Sequence, residues 1–317
     1  MLNNAEKQIV ATVAYYDEMD YPLTSFEIWK SFTNYESNTN ILIDKLELAE
    51  TIELLENEEL RKYIESYNGF YFLKGRKELV EKRIKKNKVA SLKLKKLRRI
   101  VWFLRFVPFA RMIAVTGRLA MKNTGKNSDW DLFVLLKKGK IWTGRTLVTA
   151  FVHLIGKRRY GNKIKDRICL NYFITDESLK INIKERPFEV NLFSASEYSF
   201  MIPLFGFRVF RKFQIRNPWI REFKPNFEIS EVRNMKMISD NHFSKVLRKS
   251  GERLLGFDFI ENFLRNIEKN KIANNPKTHL AGSVIEANDD CLVFLPEPQG
   301  KEIYEKTLEK LESLGIS

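Results

Sequence analysis

Apolar and polar positions alternate with periods that change along this chain. Ile9, Val10, Val13 and Tyr16 recur at the spacing of one helical face, which predicts a helix over 5–18. Tyr21-Pro22-Leu23 breaks it, and Thr24-Ser-Phe-Glu27 is a capping-box pattern opening a second helix to about Phe32. A polar loop from Asn34 to Asn40 precedes a third helix, from about Ile41 to Glu59. Tyr63 to Lys74 then reads as a hairpin with Asn68-Gly69 as its two-residue turn. Three helices and a hairpin predict a winged helix-turn-helix module over 1–74.

The stretch from Gly75 to Arg105 sets only Glu78 and Glu81 against a dense run of lysines and arginines. Val89, Leu92, Leu97, Ile100, Val101 and Leu104 fall within about half the helical circumference. That pattern predicts a long helix over 75–106, packed along its C-terminal half and wet elsewhere. Two readings stand for its charge: a solvated connector, or a rail for a phosphate backbone. Pro108 ends it.

Residues 107–195 carry shorter apolar runs. Met112 to Val115 suits a buried strand, Gly117 a backbone turn or close approach, and Arg118 to Asn123 a short helix. Ser128-Asp129-Trp130-Asp131 leads into Leu132-Phe-Val-Leu-Leu136, a second strand. Trp142 to Gly156 reads as an apolar helix, with His153 expected to pack in the core. Arg167 to Thr175 reads as a third strand. Over 196–317 the pattern is mostly helical. A helix opens at Ser194 and runs through Leu204, then aromatic-rich helices cover Phe205–Phe213 and Asn217–Phe223. A longer amphipathic helix covers about Phe243 to Ile267. Ser283 to Leu295 suggests a short hairpin with Asp289-Asp290 in a solvated turn, and a last helix covers about Lys301 to Leu314.

The candidate chemistry lies in the 111–136 stretch. Asp129 and Asp131 are two apart at the entry to a strand, so both carboxylates point to one face. Two like charges held together repel unless a cation lies between them. A hard divalent ion with oxygen ligands, Mg²⁺ or Mn²⁺, is the natural occupant.

Apolar strand, Gly117, helical turn, Ser128, Asp129-x-Asp131 and apolar strand, in that order, resemble the nucleotidyltransferase superfamily, the DNA polymerase beta-like fold. The specific match covers about 25 residues. The resemblance implies an α/β (α+β) core with a mixed sheet and flanking helices. It implies transfer of a nucleoside monophosphate from an NTP to a hydroxyl, with Asp129 and Asp131 as catalytic metal ligands. Gly117 would let backbone approach the triphosphate, and Ser128 and Arg118 are candidate phosphate contacts. Arg118 stands where the family usually has a small residue. The third strand, where the family usually supplies a third acid, has no internal carboxylate. Asn171 and Asp176 are the two candidates for that place, and Asn171 equally suits a backbone bond. Taken whole, the element order resembles prokaryotic nucleotidyltransferase-domain proteins. The alternative is a catalytically weak scaffold that binds nucleotide or nucleic acid in a regulatory or toxin–antitoxin role.

Charge sharpens the choice of partner. The 317 residues hold 55 Lys+Arg against 40 Asp+Glu, a net charge of +15 that favours RNA or another polyanion beside the NTP. The third helix runs the other way, with Asp44, Glu47, Glu50, Glu53, Glu56, Glu58 and Glu59, which argues against DNA reading by the winged helix. No apolar run approaches the roughly 20 residues of a membrane span, so no membrane partner is expected. Cys169 and Cys291 lie in apolar runs and read as buried free thiols. With no signal-peptide pattern at the N-terminus, a cytoplasmic location is expected.

Overall fold

A computed structural model of the chain describes residues 2–35, 45–184, 186–231, 237–295 and 298–316. Reciprocal caps start its first two helices. At α1 (Asn4–Asp17), Asn3 Oδ1 accepts from the Glu6 N–H at 2.8 Å and Glu6 accepts from the Asn3 N–H. After β1 (Leu23–Thr24), Thr24 and Glu27 make the same exchange at α2 (Ser25–Lys30). The third helix, α3, spans Leu48–Glu56. Its expected start near Ile41, and most of the polar loop ending at Asn40, lie outside the described residues. Strands β2 (Ile64–Tyr67) and β3 (Phe70–Leu73) are joined by Asn68 and Gly69 at φ +50° and +75°, the left-handed pair that a two-residue hairpin turn requires. β1 adds to β3 to complete a three-stranded antiparallel sheet.

Helix α4 (Glu78–Leu104) differs from the expected half-wet rod. It packs from its first turn, with Leu79 and Val80 buried, while Leu92 is 60% exposed on the outer side. Two of its cations are buried struts. The Arg83 guanidinium donates to Glu27 at 2.7 Å, to the Tyr21 hydroxyl at 2.6 Å and to the Met121 carbonyl at 3.3 Å. Lys93 Nζ donates to the Ser128 carbonyl at 2.6 Å and pairs with Asp166 at 3.2 Å. Hydrogen bonds and ion pairs of this kind offset the cost of burying a cation, although the Arg83 Nε itself has no partner.

The second sheet is six-stranded: β4 (Ala110–Val115), β5 (Trp130–Leu136), β6 (Ile168–Thr175), β7 (Ile202–Phe205), β8 (Val284–Ala287) and β9 (Cys291–Leu295). Its order is β7-β4-β5-β6-β9-β8, with β5 and β6 parallel and every other pair antiparallel. The helices that follow α4 are α5 (Gly117–Ala120), α6 (Ile141–Leu154), α7 (Phe188–Phe200), α8 (Phe207–Arg216), α9 (Ile220–Phe223), α10 (His242–Leu255), α11 (Asp258–Ala273) and α12 (Gly300–Ser313). The chain is thus a mixed α/β fold. Strand alternation sends side chains to two cores. Met112, Ala114, Phe133 and Leu135 join α1, α7 and α8 on one face, while Ile113, Val115, Leu132 and Val134 join α4 and α6 on the other.

Several boundaries differ from the sequence expectation. The helix expected from Ser194 through Leu204 begins at Phe188 and stops at Phe200, and Ile202–Phe205 form edge strand β7. The long helix expected over Phe243–Ile267 is two helices. Gly256 weakens the run and Phe257 takes an extended backbone, so Asp258 can open a new first turn. His153 is exposed and not packed in the core, because Val148 and Val152 hold the inward stripe of α6. Cys291 is half-buried, and Cys169 is buried. Asp289 and Asp290 lie in the β8–β9 turn, tied to Arg265 at 2.8 Å and Lys138 at 3.3 Å. Among the described residues, no helix is long and apolar enough to cross a membrane.

Glu261 of α11 is 5% exposed and caps α6 from outside it. It accepts from the Trp142 N–H and the Thr143 N–H, both at 2.9 Å, and from the Thr143 hydroxyl. Helix starts leave such N–H groups without partners of their own. Glu261→Ala is expected to lower stability by about 2–4 kcal/mol in urea unfolding. Glu261→Gln, which keeps an acceptor oxygen, should do less harm. Unchanged unfolding for the alanine variant would contradict this role.

Candidate active site

The site forms where β4 ends and β5 begins. The Thr116 N–H bonds the Asp131 carbonyl at 3.1 Å, which closes the two strands together. The chain then turns at Gly117, with φ +61°. A Cβ at that position would lie 2.9 Å from Asp131 Oδ2, so only glycine leaves the carboxylate its place. At the first residue of β5, the Trp130 N–H bonds the Arg167 carbonyl at 2.8 Å. Lys93 holds the Ser128 carbonyl from below. The 117–131 segment is therefore fixed at both ends by hydrogen bonds and a buried cation.

Asp129 and Asp131 do converge. Their carboxylate oxygens and the Cys169 thiol all lie within 4.8 Å of one another. The other expected residues, Gly117, Arg118, Ser128 and Asn171, line the same cleft of about 420 Å³. Ser128 Oγ accepts from the Gly125 N–H at 3.2 Å, a local turn bond. Arg118 is exposed at the rim. The guanidinium that meets the carboxylates belongs instead to Arg159, which donates to Asp129 Oδ2 at 2.6 Å and to Cys169 Sγ at 3.4 Å.

The two candidates for the third acidic place fare differently. Asp176 lies beside Leu136, at the far end of β5 and β6 from the carboxylate pair, where it accepts from the Lys138 N–H. It is not near the cluster. Asn171 borders the cleft, but its Oδ1 accepts from the Cys169 thiol at 2.8 Å. Cys169 pairs with Asp131 while Tyr172 pairs with Phe133, so β6 carries one extra residue at this point. The register sets the Cys169 thiol beside Asp131 ahead of this bulge, and Asn171 lies two residues further along β6.

A further carboxylate reaches the cleft from α7. Glu197 lines it opposite the strands. Its sequence signal was an acid on an apolar helical face, with Phe193, Phe200 and Met201 at helical spacing. Burial pushes the Glu197 carboxyl up to about 8, and the charge of Asp131 adds to the push. Burial, and then Asp129, push Asp131 up to about 7. Burial pushes the Cys169 thiol up to about 12, so it stays protonated and is a poor anionic ligand.

This donor set fits a hard divalent ion better than a soft one. Two carboxylates supply oxygen ligands, and the cleft leaves room for water or phosphate oxygens to complete the shell. The protonated thiol and the occupied amide add little. Arg159 competes with any such ion for Asp129. Cations otherwise predominate on the walls, with Arg118, Arg186 and Lys277 facing the same space. Met19 of the N-terminal module completes one side, held by the Asn123 amide donating to the Met19 carbonyl at 2.7 Å.

No family model, curated protein or solved structure matches this chain.

The raised Asp131 carboxyl has a thermodynamic consequence. Between about pH 4 and pH 7 the folded state holds a proton that the unfolded chain releases, so the stability from this group falls as pH rises through that window. In ion-free protein, the stability of Asp131→Asn relative to wild type is therefore expected to grow from pH 5 to pH 8, on the order of 1–3 kcal/mol. Chemical unfolding of both proteins at matched pH measures this. A pH-independent difference would contradict the assigned burial and repulsion.

Proposed function

We propose that this chain is a metal-dependent nucleotidyltransferase that moves a nucleoside monophosphate from an NTP to a hydroxyl acceptor. The observation that carries the reading is the convergence of Asp129 and Asp131 against Gly117 in a cleft with cationic walls. Two repelling carboxylates flanked by arginines suit a divalent ion together with a polyphosphate, and suit few other ligands. Asp129 and Asp131 would hold Mg²⁺ or Mn²⁺. When bound, such an ion polarises the phosphate under attack and lowers the pKa of the attacking hydroxyl.

The chain's own groups divide the remaining work. Gly117 keeps Asp131 in register. Arg159, Arg118 and Lys277 supply positive charge to the triphosphate. The acceptor oxygen bonds to the α-phosphorus, the bond to the bridging oxygen breaks, and pyrophosphate leaves with that electron pair. Glu197 is the carboxylate placed to take the acceptor proton. The N-terminal module reads as a winged helix serving as a cleft wall through Met19, not as a DNA reader. RNA or another polyanion suits the surplus of positive charge as acceptor.

A second reading has its own observation. Arg159 pairs with Asp129 at 2.6 Å and a thiol takes the third strand position, an arrangement that favours nucleotide binding without transfer. Calorimetric titration separates the two. NTP binding that ignores Mg²⁺ and survives Asp131→Asn belongs to the binding-only protein.

The transferase reading predicts incorporation of labelled NMP into an RNA, protein or small hydroxyl acceptor with Mg²⁺ or Mn²⁺. Asp129→Ala should reduce it by roughly a hundredfold or more, and Glu197→Gln should reduce kcat more than nucleotide affinity. Absence of incorporation with all four NTPs across these acceptors would overturn it.

A further inference from the structure

Surface helices ordinarily turn their apolar stripe inward. Helix α10 does the reverse, and α11, which packs Leu264 and Ile272 inward, leaves two phenylalanines outside. The inward side of α10 is polar. Ser244 is fully buried, Arg248 pairs with Asp240 and donates to the Arg105 carbonyl, and Glu252 pairs with Arg111 at 2.7 Å. Its outward side holds Phe243, Val246, Leu247 and Leu254 at helical spacing, with exposures of 66%, 48%, 48% and 72%. In α11 the inward acids Glu261 and Glu268 bond to α6, while Phe259 and Phe263 are 70% and 64% exposed. The patch continues onto α4, where Trp102 and Phe103 are exposed. Rings link α4 to α10, Trp102 to Phe106 at 5.4 Å and Phe106 to Phe243 at 6.0 Å, and Phe257 stacks on Phe259 at 5.8 Å where α11 begins.

An exposed apolar area of this extent marks a contact surface. Its borders say what it contacts. Lys95, Arg98 and Arg99 of α4 and Lys245, Lys249 and Arg253 of α10 are exposed beside it. None of the six enters a salt bridge among the described residues. A second copy of this chain, at net +15, would bring these cations against their equals. Nucleic acid would suit the cations and rings, but Val246, Leu247 and Leu254 offer nothing for a base to stack on. A layer with anionic groups over hydrocarbon satisfies both halves of the surface.

We propose that this face docks the protein onto an anionic lipid bilayer, as a peripheral contact that crosses nothing. α10 packs on Phe109 and Arg111, where β4 begins, whereas Gly117 and the carboxylates follow its other end. Docking therefore leaves the cleft open to solvent.

Flotation of the full chain with phosphatidylglycerol-containing vesicles, against phosphatidylcholine vesicles alone, tests this. Binding is expected only to the anionic vesicles and should weaken in high salt. The double variant Phe243→Ser, Leu247→Ser should lose at least roughly tenfold in partitioning, since each side chain gives up the burial of its apolar surface. Lys245→Gln with Lys249→Gln should lose several-fold. A variant-free arm uses brominated lipid, which should quench the emission of exposed Trp102. No vesicle binding, no quenching, or binding indifferent to the apolar substitutions overturns the proposal. So does a dimer that those substitutions dissolve, or capture of single-stranded RNA through these residues with vesicles ignored.

Discussion

Two negative charges held closer than they would choose to be are the constraint around which this structure is arranged. Asp129 and Asp131 project from one face at the entry to β5, and the fold removes each means by which they could separate. The Thr116–Asp131 backbone bond sets the strand pairing, Gly117 closes behind the carboxylate, and Lys93 grips the preceding carbonyl from α4. Repulsion of this kind persists in a native protein only where the surroundings over-determine the geometry. Part of the strain is relieved by Arg159 and part by protonation, since the Asp131 carboxyl rises to about 7.

The same economy of charge runs through the rest of the molecule. The long basic helix α4 reads in sequence as packed only along its apolar C-terminal half, yet Arg83 and Lys93 are buried and bind the N-terminal module and the carboxylate-bearing loop to it. Lys224 makes a third internal strut. It is fully buried, donates to the Ser31 carbonyl and the Thr33 hydroxyl, and burial holds its ammonium well below the usual lysine range. Basic side chains thus do structural duty inside, face the cleft at Arg118, Arg159, Arg186 and Lys277, and border an outward apolar surface on α10.

What the sequence disclosed was local. The capping pair Thr24–Glu27, the Asn68-Gly69 turn and the order strand, Gly117, Asp129-x-Asp131, strand are all short-range patterns, and each appears at its expected place. What stayed hidden depended on contacts distant along the chain. The register of β6 against β5 set Cys169 rather than Asn171 opposite Asp131, and no composition signal marks a strand register. Arg159 belonged to a basic loop with nothing to single it out. Glu197 was masked by a misplaced helix start, and Leu92 pointed outward because the α4 stripe is set by Leu97, Val101 and Leu104. The split of α10 from α11 left Phe259 and Phe263 outside, which helical periodicity alone would have buried.

The most direct test of the carboxylate pair is a crystal structure of the chain soaked with Mn²⁺ and a non-hydrolysable NTP, read by anomalous scattering. The account predicts a manganese peak bonded to both Asp129 and Asp131, with the triphosphate against it and the Arg159 guanidinium moved from Asp129 to the phosphates. An anomalous map without a peak there, with Arg159 still seated on Asp129 while the nucleotide lies elsewhere or is absent, would contradict it.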